Sequence, residues 1–294
     1  MRRNTIFMLF GVVALCAAAK DPMWLDPNVN AVNRAPMHTS YFAFETPQQA
    51  AADKKMSDNY LSLDGKWNFN WVENADQRPT DFWKTDFDDS GWVKMDVPGM
   101  WELNGYGDPL YLNIGYPWLG NYKSNPPVVP TKENHVGSYR RIIEVPADWK
   151  GKDIIAHFGS ATSNISVWVN GKFVGYGEDS KLENEFDLTP YIKPGEKNLI
   201  ALQMFRWCDG TYLEDQDFFR LSGLARENYL YARAKNRIED IRVVGDLTDD
   251  YRDGILSVGL DIKGSGDLEL KLTDSEGKTV ASYDKANARG HVDV

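Results

Sequence analysis

The stretch Ile165-Ser166-Val167-Trp168-Val169-Asn170-Gly171-Lys172-Phe173-Val174-Gly175-Tyr176 constrains the fold more than any other part of the chain. Two runs of β-branched and aromatic residues flank Asn-Gly, the dipeptide that supplies both positive-φ positions of a two-residue hairpin turn. Comparable runs recur at 67–72, 138–145, 153–158 and 198–207 with turn residues between them, which predicts a mostly β protein. Helical signal is weak, and 46–56 is the best candidate for a short helix before the first strand.

Residues 58–233 are enough for one well-filled sandwich of the jelly-roll kind. A second alternating pattern follows at 237–244, 254–263, 266–273 and 278–283. Its turns are Thr248-Asp249-Asp250, Gly264-Ser265-Gly266 and Ser275-Glu276-Gly277. That spacing suits an immunoglobulin-like sandwich, but four strands fall short of the roughly seven that such a fold takes. The expectation over 234–294 is therefore a partial sandwich interrupted by the chain end, with unpaired edges. Residues 100–135, rich in Gly, Pro, Asn and aromatics, read as a long irregular loop of the kind that carries function or is disordered.

The first residues read as a secretory leader. Arg2 and Arg3 precede an apolar run at 6–14, and Ala17-Ala18-Ala19 offers a cleavage site before Lys20. The run is too short for a membrane span, so 1–19 is read as a signal peptide, 20–57 as an amino-terminal extension, and the destination as the periplasm. Lipid attachment at Cys16 is the alternative, and the bulky Leu15 before it argues against that. Cys208 is then the only cysteine left, so no intramolecular disulfide is expected. A net charge of −10, with 43 acidic against 33 basic residues, argues against nucleic acid or an anionic membrane as partner. The 10 Trp, 14 Tyr and 13 Phe suit a neutral partner such as a sugar, although most of these rings are expected in the core.

Trp207-Cys208-Asp209-Gly210-Thr211-Tyr212-Leu213-Glu214-Asp215-Gln216-Asp217 places four carboxylates in nine residues. Such crowding needs a cation or a hydrogen-bond network, so Glu214 or Asp217 is a candidate ligand for a hard metal ion, with a solvated acidic loop as the alternative. Asn113 sits between Tyr111 and Tyr116; its amide suits a sugar hydroxyl, though taken alone it reads as a turn residue. Glu178, Asp179, Glu183 and Glu185 follow the hairpin and read as its solvated edge rather than as a glycosidase carboxylate pair. No Ser/His/Asp set and no phosphate-cradling glycine loop stands out.

Several motifs together carry a resemblance: Leu63-Asp64-Gly65-Lys66-Trp67-Asn68-Phe69, Val97-Pro98-Gly99-Met100-Trp101, Asn125-Pro126-Pro127, Val167-Trp168-Val169-Asn170-Gly171, Glu185-Phe186-Asp187-Leu188-Thr189 and Arg220-Leu221-Ser222-Gly223. The chain resembles the amino-terminal half of glycoside hydrolase family 2. Leu213-Glu214-Asp215-Gln216-Asp217 and Tyr111-Leu112-Asn113-Ile114-Gly115-Tyr116-Pro117 are similar to the large bacterial β-galactosidases within it. Two positions depart from the pattern: Ala225, where an aromatic residue is common, and Phe219, where a Trp can occur.

The resemblance implies an all-β chain, a jelly-roll sugar-binding domain followed by an immunoglobulin-like one, ahead of a catalytic barrel. It implies that Asn113 and Asp217 contact the galactosyl unit of a galactoside substrate, and that Asp217 also ligates sodium. The remaining sodium ligands and all magnesium ligands would belong to the barrel, and the full-length enzyme would be a homo-oligomer. A barrel of roughly 250 residues does not fit before Val294, so the chain alone is expected to be inactive. Competing readings are a free-standing carbohydrate-binding module and an assembly role.

Overall fold

The structure is a computed structural model, and it describes residues 22–112, 118, 123, 125–214 and 217–294. It is all-β, with every ladder antiparallel. Among the described residues no helix is long and apolar enough to cross a membrane.

A seven-stranded sheet runs in the order Ala31–Val32, Lys172–Gly177, Ile165–Val169, Lys197–Phe205, Val136–Glu144, Gly65–Val72, Val93–Val97. The second sheet has four strands in the order Asn184–Asp187, Asp153–Phe158, Asn228–Arg233, Tyr60–Ser62. Strand register explains why the two sheets stack. Phe69, Tyr139, Leu202 and Val167 are paired in turn across four neighbouring strands, so one face of the large sheet carries a continuous buried apolar row. Phe186, Ala156, Leu230 and Leu61 form the matching row on the small sheet. The row on the large sheet ends at Gly175, opposite Val167, where a Cβ would lie 2.6 Å from the carbonyl oxygen of Val32 and 2.7 Å from the Phe186 ring. Glycine is therefore required there by close packing.

The Asn170-Gly171 hairpin forms as its sequence predicts, with φ of 50° and 80° at the two turn residues and Val169 paired with Lys172. The helix expected at 46–56 is divided. Thr46 caps a single α-turn, Pro47–Ala50, and Asp53 then caps a separate 3₁₀ turn, Lys54–Met56, by accepting from the Lys55 amide.

Beyond residue 233 the chain forms a three-stranded sheet, Arg237–Leu247, Gly254–Thr273 and Thr279–Asp293. The expected turn at Gly264-Ser265-Gly266 is absent: 254–263 and 266–273 belong to one strand, and the register shifts between Ile262 and Gly266. Gly264, at φ 77°, absorbs the extra residues as a bulge, so the strand continues rather than reversing. Lys235, Arg237 and Lys263 converge on Asp153 of the four-stranded sheet and join it to this segment.

Candidate functional site

The Leu110–Leu112 strand pairs with Phe218–Arg220, and this short ladder brings together parts of the chain more than a hundred residues apart. Its register sets Tyr111 opposite Phe219, with ring centroids 5.4 Å apart and both rings more than half exposed. The Tyr111 hydroxyl donates to Oδ1 of Asp217 at 2.5 Å. That hydrogen bond to the carboxylate, with smaller contributions from desolvation and from the charge itself, raises the Tyr111 pKa above its ordinary value. An exposed carboxylate beside two exposed aromatic faces is suited to a sugar, whose C–H faces pack on rings while its hydroxyls donate to the carboxylate. Asn113 lies outside the described residues.

The other carboxylates of the acidic loop turn to different partners. Glu214 accepts from the Ser180 amide at 3.0 Å and from the Ser180 hydroxyl. Arg220 donates to the Glu214 carbonyl. Asp209 meets Glu178 in the interior, where burial pushes the Glu178 carboxyl up to about 8, opposed by the Tyr176 hydroxyl at 2.6 Å and reinforced by the charge of Asp209. The Asp209 carboxyl is likewise pushed up by burial, so the doubly ionised form of the pair is disfavoured. Gly210 leaves the room for this, since a Cβ there would sit 2.6 Å from Glu178 Oε2. Asp215 lies outside the described residues, and no group of three or more His, Cys, Asp or Glu suited to a metal occurs among the described ones.

The reading of the carboxylates after the hairpin as a solvated edge is overturned for two of the four. Glu178 and Glu185 are both more than nine-tenths buried. Glu185 accepts from Nδ1 of His157 at 2.8 Å, Nε2 of His38 at 3.0 Å and the Tyr231 hydroxyl at 2.8 Å. Burial alone would raise its pKa, but these donors outweigh it and hold the carboxyl at about 2. The sequence holds no local signal for this, because His38, His157 and Tyr231 come from three distant segments.

Residues 60–234 match the family profile described as "Glycosyl hydrolases family 2, sugar binding domain". A β-galactosidase of Priestia megaterium is 42% identical over 243 residues, which is 82% of this chain and 23% of that protein. One from Halalkalibacterium halodurans is 40% identical over 266 residues, 89% of this chain and 26% of that protein. The chain thus spans about a quarter of the length of these relatives. Among solved structures, a β-glucuronidase 2 of Bacteroides uniformis superposes with a TM-score of 0.60 at 19% identity, over 80% of this chain and 26% of that one, a likeness of fold. With the profile match extending over more than half of its residues, the chain belongs to glycosyl hydrolase family 2.

Proposed function

We propose that this chain is the sugar-binding, amino-terminal part of a β-galactosidase that hydrolyses terminal non-reducing β-D-galactosyl residues. The observation that carries this reading is the 40–42% identity, over more than four-fifths of the chain, to proteins named β-galactosidase. The glucuronidase likeness, at 19% identity, speaks to fold alone. In this reading Asn113 and Asp217 contact the galactosyl unit, and no catalytic residue is assigned to the chain itself.

The chemistry of Asp217 fits a share in a sodium site. It is an exposed carboxylate, a hard oxygen donor, and only its Oδ1 is engaged by the described residues. A bound sodium would supply fixed positive charge beside the sugar hydroxyls, and its other ligands are assigned outside this chain. Magnesium is assigned no residue here. With 1–19 as a leader, the enzyme is placed in the periplasm, and its full-length form is a homo-oligomer.

The test is hydrolysis of nitrophenyl β-galactoside against nitrophenyl β-glucuronide by the purified complete gene product. Preference for the galactoside, lost in Asp217→Ala, is the expected result. Preference for the glucuronide overturns the reading. The 294-residue chain alone is expected to hydrolyse neither.

A further inference from the structure

The outward face of the four-stranded sheet is chemically unlike its inward face. Glu185, His157, Tyr229 and Ser62 are paired in turn across its four strands, giving a polar and aromatic row where the inward row is aliphatic and Phe. The segment 33–45 crosses this face as a strap. His38 reaches Glu185, Phe42 packs at the edges of Tyr60 and Tyr229, and Tyr41 donates to the carbonyl of Ile238 at 2.7 Å.

Between strap and sheet a cavity of about 380 Å³ remains, within the roughly 300–1,000 Å³ of small-molecule sites. Its wall includes Tyr229, which is 6% exposed, and whose hydroxyl has no hydrogen-bond partner among the described residues. That hydroxyl is accessible from the cavity, so a ligand's polar group can bond to it in place of water. His157, stacked on Tyr229 at 4.4 Å, gives Nδ1 to Glu185 and leaves Nε2 without a partner among the described residues. The charged groups of the lining balance: His38, Lys54 and Arg226 against Glu183, Glu185 and Glu227, with Lys54 paired to Glu227 and lying 4.6 Å over the Tyr229 ring. An anion or a cation would meet as much repulsion as attraction there. A neutral ligand with hydroxyls of both hydrogen-bonding senses would meet the Tyr229 hydroxyl, Nε2 of His157 and the Phe42 ring without that penalty.

From this juxtaposition we infer a second saccharide-binding site, under the 33–45 strap and built on Tyr229 and His157, which takes a neutral mono- or disaccharide and does not involve Asp217. It is independent of the activity proposed above.

Calorimetric titration of the full chain with lactose, galactose and glucose tests it. Tyr229→Phe removes only the unpartnered hydroxyl and keeps the packed ring. Ser40→Trp fills the cavity from an exposed strap position. Saturable binding of at least one sugar is expected, weakened about tenfold in the first variant, abolished in the second, and unchanged in Asp217→Ala. Absence of saturable binding for all three sugars overturns the inference. So does binding that disappears in Asp217→Ala while both cavity variants retain it, or binding displaced by inorganic phosphate.

Discussion

Tyr111 and Asp217 are 106 residues apart in sequence, yet they are joined by a hydrogen bond of 2.5 Å at the surface. The bond is made possible by a three-residue ladder, so Asp217 is oriented by a strand it does not belong to. Because the carboxylate holds the phenol in its neutral form, Asp217→Asn should lower the Tyr111 pKa toward the ordinary tyrosine range, near 10. Difference absorbance titration of the variant against the unaltered protein reads this directly, and superimposable curves would contradict it. In the complete enzyme, Tyr111→Phe should lower kcat/KM about tenfold, the scale of one lost hydrogen bond to a charged group.

Glu178 makes stability fall with rising pH. Its carboxyl is raised by burial to about 8 in the folded chain, above its unfolded value near 4.5, so the folded state binds the extra proton between those limits. The stabilising contribution is complete below about pH 4.5 and is lost as pH climbs through 8, a decline on the order of 3–5 kcal/mol. Glu178→Gln keeps an acceptor for Tyr176 without a titrating proton. The variant should melt higher than the unaltered protein at pH 9 and near it at pH 5, as followed by circular dichroism; parallel pH profiles for both would refute the assignment.

What was legible in the sequence was local. Asn170-Gly171 encodes its turn in two residues, and the alternation of Trp67 and Phe69 with Asn68 and Asn70 specifies a strand with one buried face, because both signals depend on neighbours in the chain. Gly264-Ser265-Gly266 misled for the same reason. Its composition suits a turn, but whether a Gly at positive φ reverses a strand or bulges it depends on the strand alongside. Glu178 and Glu185 look like surface acids until the distant residues that donate to them are in place. The pairing of Tyr111 with Asp217 has no signal in the sequence order and became apparent only from the register of the short ladder.

The strap is tied down by a histidine whose charge matters. A hydrogen bond to Glu185, partly opposed by burial, lifts the His38 pKa to about 9 from an ordinary value near 6.5. The raised value means that the folded state favours the proton, so the stabilisation is complete below about pH 6.5 and disappears as pH rises through 9. His38→Ala should cost about 1–2 kcal/mol at pH 6, and the deficit should close toward pH 10. Urea unfolding at a series of pH values measures the gap; a deficit independent of pH would mean that His38 acts through packing alone.

Gly137 offers a test of how tightly the sandwich core is filled. The residue lies in the Val136–Glu144 strand, and a Cβ built on it would lie 2.7 Å from Cε2 of Trp101 and 2.9 Å from Cε2 of Phe69. Both rings are fully buried, and Trp101 is held further by its indole N–H donating to the Tyr139 hydroxyl, so neither can retreat without disturbing other core residues. Gly137→Ala should therefore destabilise by roughly 1–3 kcal/mol, even though alanine reduces the entropy of the unfolded chain. Gly91 has open space around its Cβ position, and Gly91→Ala should be neutral or slightly stabilising. Thermal melts of the two variants separate the explanations: a drop of roughly 3–10 °C for the first against little change for the second is the expected pattern. Equal melting temperatures would mean that the Trp101 and Phe69 rings can yield, and that the core is looser than these distances imply.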